Sequence, residues 1–236
     1  MRPVAIFRHA AGDGPGYFST YLAQHNLPST LIRIDRGEKV PTQARHFSGI
    51  GLMGGPMSVN DPLPWIPPLI ALLQDAVADG VPVIGHCLGG QLLSKALGGE
   101  VGLNPVKEIG WREVAIADTP PAREWFGETR DFLSFHWHGD TFSIPPGAER
   151  IAWSEFCANQ AFVYRVHLGL QCHVEMTPEM VADWCRSGTE ELRTARSPAV
   201  QSAQLMQQDL QSRVAALNAV AARLYDRWVH GVRRDD

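Results

Sequence analysis

One stretch, Pro82-Val83-Ile84-Gly85-His86-Cys87-Leu88-Gly89-Gly90-Gln91-Leu92-Leu93, limits what this chain can fold into more than any other. The apolar run Val81 to Ile84 reads as a buried strand. A glycine-rich turn follows at once, and Gln91 to Leu97 has helical apolar spacing. A cysteine therefore sits where a strand breaks sharply into a helix. The form, G-x-C-x-G, is the thiol counterpart of the serine nucleophile elbow. Gly85 and Gly89 permit the tight backbone that lifts Cys87 out of a sheet. A helix N-terminus aimed at a sulfur, with its free N–H groups and partial positive charge, favours thiolate over thiol. The competing reading is a buried, inert cysteine beside a tight strand–helix junction.

The bulk numbers decide which settings suit such an elbow. The 236 residues are 44% hydrophobic and 19% charged, ordinary for a soluble protein and enough for one large domain. A net charge of −4 gives no electrostatic footprint for nucleic acid or an anionic membrane. No apolar run reaches the length of a membrane span, and the first residues lack the pattern of a secretory leader. Cys87, Cys157, Cys172 and Cys185 do not resemble a disulfide framework, so a reducing cytoplasm is the expected home. No C-x-x-C pair occurs, and no zinc site is expected.

Taken in order, Val4 to Phe7, Thr30 to Ile34 and Gly49 to Met53 read as strands. Tyr17 to His25 and Trp65 to Ala78 read as helices, Pro67 and Pro68 being tolerable only in a first turn. With the elbow this is the rhythm of an α/β fold with a mainly parallel sheet. After Gly98-Gly99 shorter strands are expected at Val101, Glu113–Ala117, Phe132–His136, Arg150–Trp153, Ala161–Tyr164 and Leu168–His173, with antiparallel pairing at one edge. Pro178 to Arg186 is a helix that Gly188 can end. Ser197-Pro198 forms an N-cap and N1 pair for a further helix. From there Ala203, Met206, Leu210, Val214, Leu217, Ala221, Leu224 and Trp228 recur at three- and four-residue steps, one apolar stripe on a long helix. That stripe could seam a homodimer, although packing on its own domain is the commoner outcome. The tail Arg233-Arg234-Asp235-Asp236 is expected to fray.

A cysteine nucleophile needs a base, and the base needs a group to orient it. Gly169-Leu170-Gln171-Cys172-His173-Val174-Glu175 offers both, because residues two apart on an extended segment face the same way. His173 can reach Cys87 while Glu175 holds its far nitrogen; alternatively they are an exposed polar pair leading into the next helix. An oxyanion would need donors, and the N–H groups of Gly55 and Leu88 are the candidates. A plain turn is the other reading of Gly54-Gly55-Pro56. Phe135-His136-Trp137-His138-Gly139-Asp140 is dense in functional side chains. Its His-x-His spacing suits metal, but no third ligand is evident, and a substrate-contact loop or a half-buried edge strand fits better.

Together these segments resemble the class I glutamine amidotransferases. The likeness is carried by Leu52-Met53-Gly54-Gly55-Pro56-Met57-Ser58-Val59, by Gly85 to Leu93, by His136-Trp137-His138-Gly139-Asp140 and by Gly169 to Glu175, in that order, and runs from residue 3 to about residue 185. Asn104-Pro105, Glu108-Ile109-Gly110-Trp111 and Asn159-Gln160-Ala161-Phe162 are further similar to the stand-alone branch called GMP-synthase-like amidotransferases. The resemblance implies a flavodoxin-like α/β domain over residues 1–236, with a core of about 3–185 and C-terminal helices over about 189–230. It implies that Cys87 attacks the γ-carboxamide of glutamine, that His173 protonates the leaving amine and that Glu175 orients His173. Gly55 and Leu88 would supply the oxyanion donors. The Gln91 side chain, with backbone at Trp137, Gly139 and Asp140, would hold the amino-acid end of the substrate. No cofactor is implied. Two departures stand out: an ionisable His86 beside the nucleophile, and Val174 where the family has proline.

Amidotransferase domains feed ammonia to a synthase, and no synthase segment or phosphate-binding G-x-x-x-x-G-K-[ST] loop is legible here. Two enzymatic expectations follow: a glutaminase that lends ammonia to a separate acceptor enzyme, or a stand-alone hydrolase of a γ-glutamyl amide. A non-catalytic binding protein retaining the fold is the third.

Overall fold

The computed structural model describes residues 1–232; the tail Arg233-Arg234-Asp235-Asp236 lies outside the described residues. Nine strands form one sheet: β1 (Val4–Arg8), β2 (Ser29–Arg33), β3 (Gly49–Leu52), β4 (Val83–His86), β5 (Val101–Ile116), β6 (Asp131–Phe142), β7 (Glu149–Ser154), β8 (Ala161–Tyr164) and β9 (His167–Leu170). Their spatial order is β2-β1-β3-β4-β9-β8-β7-β5-β6. The pairs among β2, β1, β3, β4 and β9 are parallel, and those from β9 through β8, β7 and β5 to β6 are antiparallel. The expected mixed α/β sheet, parallel in its core, is therefore the fold.

Helices cover both faces: α1 (Gly16–Gln24), α2 (Ile66–Asp79), α3 (Leu88–Ala96), α4 (Pro120–Phe126), α5 (Pro178–Ser187), α6 (Thr189–Thr194), α7 (Ala203–Met206) and α8 (Leu210–Val229). Strand alternation sorts the core into two layers. Val4 and Ile6 join the cluster under α1, α4, α5 and α8. Ala5 and Phe7, between and beyond them, join the cluster under α2 and α3. Among the described residues no helix is long and apolar enough to cross a membrane.

Three expectations are corrected. Val101 and Glu113–Ile116 belong to a single strand, β5, which ends before Ala117 and carries a bulge between Leu103 and Glu108. Its bends break the local pattern, while pairing with β6 keeps it continuous. The strand expected at Phe132–His136 runs on to Phe142 as β6, at one end of the sheet order, so Phe135–Asp140 takes the edge-strand alternative to a contact loop. Ser197-Pro198 starts no helix. Ser197 Oγ donates to the Lys107 carbonyl at 2.7 Å, and the amides of Ile109 and Gln201 bond the carbonyls of Ala199 and Ile109 at 3.0 Å. The segment is thus used as an extended strip along β5, and α7 begins only after Ser202, whose side chain accepts from the Leu205 amide.

The antiparallel half folds back on itself. Phe135 of β6 forms an isolated bridge with His173, just past β9, through a 2.9 Å bond from the His173 amide to the Phe135 carbonyl. This closure brings β6 over the carboxyl ends of β4 and β9, where ligands bind in open α/β sheets.

Candidate active site

Cys87 occupies a backbone conformation that few side chains adopt, with φ 51° and ψ −109°. Three glycines make it attainable. A Cβ on Gly85 would lie 2.3 Å from Gly89 backbone atoms, one on Gly89 would lie 2.4 Å from the Leu52 carbonyl oxygen, and one on Gly90 2.3 Å from that of Leu170. Helix α3 therefore rests on the sheet backbone itself, and the Cys87 amide bonds the Leu170 carbonyl at 2.8 Å. Leu88 is the first residue of α3, so its amide lies ahead of the helical hydrogen-bond ladder.

His173 and Glu175 are both buried, and Nδ1 of the ring lies 2.7 Å from Glu175 Oε1. Burial opposes charge on His173, but Glu175 and the Cys87 sulfur outweigh it and raise the ring's pKa well above its usual value. Burial likewise pushes against ionisation of Glu175, yet His173 and His86 hold its carboxyl below the usual range. The other ring nitrogen, Nε2, makes no hydrogen bond among the described residues. A Cβ on Gly54 would stand 3.0 Å from His173 Cε1 and 3.9 Å from Cys87 Cβ, so imidazole and thiol approach one point from two sides.

The other sequence candidates gather around that point. Cys87, Gln91, Gly55, Trp137, Gly139, Asp140 and His173 line one cavity of about 760 Å³. A Cβ on Gly55 would press within 2.9 Å of the Leu88 side chain, so the two candidate oxyanion donors are neighbours. The carbonyl of Trp137 lies 4.0 Å from the sulfur. Asp140 accepts from Ser58 Oγ at 2.8 Å, tying the loop after β3 to β6. Glu175 stands behind His173 and does not line the cavity.

Three further residues enter the site that sequence reasoning passed over. Gln171 donates to Cys87 Sγ at 3.5 Å and accepts from Gln91 Nε2 at 3.2 Å. It lies two residues before His173, so the same-face spacing could have found it. Asp13, in the loop after β1, lines the cavity, and burial first of all raises its carboxyl to about 6. Tyr225, on α8, lies 3.2 Å from His86 Nε2, and no local pattern announces it. His86 itself faces inward: its Nδ1 lies 3.3 Å from the Leu52 carbonyl, and burial lowers its pKa.

The third partner that the His-x-His pair lacked in sequence is Glu108. Ligand atoms of Glu108, His136 and His138 lie within 4.8 Å of one another, the one such group among the described residues. Hydrogen bonds occupy those atoms. His138 Nε2 is 2.9 Å from Glu108 Oε2, and Gln160 Nε2 donates to the same oxygen at 2.8 Å while lying 3.4 Å from His136 Nδ1. The cluster fastens β6 to β5 and to Gln160, just ahead of β8.

A model of the family described as glutamine amidotransferase class-I matches residues 18–182, a span that encloses Cys87, His173 and Glu175. This chain belongs to the class-I glutamine amidotransferases. A solved glutamine amidotransferase from Methylobacillus flagellatus is 49% identical and superposes with a TM-score of 0.98, covering 100% of this chain and 97% of that one. The glutamine amidotransferase-like protein YfeJ of Salmonella typhimurium is 29% identical over 197 residues, 80% of this chain and 82% of its own. The glutamine-hydrolyzing GMP synthase of Paraburkholderia phytofirmans is 35% identical over 144 residues, 55% of this chain but only 25% of that enzyme. The amidotransferase likeness to the synthase is thus confined to about a quarter of the synthase's length.

Proposed function

We propose that this amidotransferase hydrolyses a γ-glutamyl amide, glutamine being the simplest, through a γ-glutamyl thioester on Cys87. The observation that carries the reading is the His173–Glu175 pair, 2.7 Å apart and buried, with its ring held charged beside a sulfur on a strained elbow. The sulfur attacks the amide carbon, and the carbonyl electrons move onto oxygen, facing the amides of Gly55 and Leu88. When the C–N bond breaks, His173 gives its proton to the departing nitrogen, so ammonia leaves neutral. His173 then takes a proton from water, the resulting hydroxide displaces the sulfur, and glutamate is released. Glu175 keeps the ring oriented and stabilises its charge. Gln91, with the backbone of Trp137, Gly139 and Asp140, holds the amino-acid end of the substrate. In this reading the ammonia passes to a separate acceptor enzyme.

Rapid quenching with glutamine followed by intact-mass measurement tests it. Wild-type protein is expected to gain a γ-glutamyl mass confined to the peptide bearing Cys87, and Cys87→Ala to gain none. Glutamate release without any such adduct on Cys87, or undiminished release by Cys87→Ala, would overturn it.

A second reading, a stand-alone hydrolase of a substituted amide, is favoured by one observation. A cavity of about 760 Å³ is far roomier than a γ-glutamyl group and ammonia require, and falls in the usual range for larger ligands.

A further inference from the structure

Two tryptophans wall the cavity beside His173, the group that protonates the departing amine in the proposed mechanism. His173 delivers the proton to the departing nitrogen, so whatever that nitrogen carries passes the imidazole. Trp184 of α5 meets the His173 ring at 4.8 Å with an interplanar angle of 87°. Trp137 of β6 meets Trp184 at 6.0 Å and 88°, so the two indoles form a right-angled corner. Both are half-buried, and both line the cavity.

The corner is held from behind. Trp184 Nε1 donates to the Gly12 carbonyl at 2.9 Å, and Trp137 Nε1 donates to Glu191 Oε2 at 2.8 Å. Glu191 in turn pairs with Lys107. With each indole N–H engaged by protein, what remains for a ligand is ring surface. Gly188 gives Trp137 its place, because a Cβ there would stand 2.3 Å from the indole. Phe135 supports both rings from the core, at 6.1 and 6.4 Å. Ammonia has no use for such a wall. A planar aromatic group does, because it can stack on one face and meet the other edge-on.

We propose that the preferred substrate is a γ-glutamyl amide whose nitrogen bears an aromatic group, seated in the Trp137–Trp184 corner. This rests on the γ-glutamyl thioester reading and deepens its second form. The covalent balance is unchanged: C–S forms, C–N breaks, the His173 proton goes to the aryl-bearing amine, and water later cleaves the thioester.

The experiment separates the corner from the chemistry. Binding of γ-glutamyl benzylamide and γ-glutamyl ethylamide to Cys87→Ala is measured by calorimetry; the two ligands differ in the ring and have similar amide reactivity. The benzylamide is expected to bind at least ten-fold more tightly. Adding Trp184→Leu should bring that ratio towards one, while Trp184→Phe should retain most of it, each variant being checked for an unchanged circular dichroism spectrum. Equal affinities in Cys87→Ala, or a ratio that survives Trp184→Leu, would overturn the proposal. In wild type, kcat/KM should favour the benzylamide by a similar factor. Tight benzylamide binding without an adduct on Cys87 would sink the thioester reading and leave the aromatic subsite standing. Adducts from both amides at equal kcat/KM would do the reverse.

Discussion

Asp13 is a carboxyl group placed where ionisation is disfavoured. Burial, above all, raises it from 3.8 to about 6; His173 pulls it down, and Glu175 pushes it up. Between those two values the folded chain holds a proton that the unfolded chain has released, so stability falls as pH rises through the window and levels above it. Asp13→Asn has no such titration. The melting temperature of the variant relative to wild type is expected to rise between about pH 4 and about pH 7, as followed by differential scanning fluorimetry. A difference that stays constant with pH would contradict the assignment. Residues of this kind mark the limit of what a sequence discloses. Cys87, His173 and Glu175 could be named because their spacing is local: an elbow, and two positions on one face of an extended segment. The surroundings of Asp13 are set by His173 and Glu175, groups far along the chain that only the fold brings to it.

At the scale of elements, the elbow works because α3 touches the sheet backbone without side chains between them. Gly90→Ala places a Cβ 2.3 Å from the Leu170 carbonyl oxygen, which also accepts from the Cys87 amide. Overpacking of this kind costs about 1–3 kcal/mol, and more where backbone must move. Urea denaturation should show the lost stability. Iodoacetamide should show a second effect: slower labelling of Cys87 as the elbow shifts, with Cys157, Cys172 and Cys185, buried like Cys87 but not lining the cavity, remaining unlabelled in the native state. The centre of the parallel half was legible because β3 and β4 are short, fully buried apolar runs that lead into glycine turns. The antiparallel half was less so. β5 is interrupted by its bulge, and residues 199–201 spend their backbone groups on β5 where the Ser-Pro pair signals a helix. Both outcomes are set by partners distant in sequence, which override local propensity.

For the molecule as a whole, the apolar stripe of α8 is directed inwards. Val214, Leu217, Ala221, Leu224, Tyr225 and Trp228 are all buried against the main core. Leu224→Ala should therefore cost about 2–5 kcal/mol in chemical denaturation and leave the oligomeric state seen by sedimentation unchanged. Loss of a dimer on this substitution would show that the stripe seams two chains. The same helix carries Tyr225 beneath His86, which in turn favours the charge on Glu175. Order of synthesis then acquires a chemical meaning. A nascent polypeptide whose ribosome has paused before Tyr225 already holds the thiol, the imidazole and the carboxylate, yet the layer beneath them is missing. On the proposed function, hydrolytic competence is expected to emerge only once α8 has packed beneath the elbow.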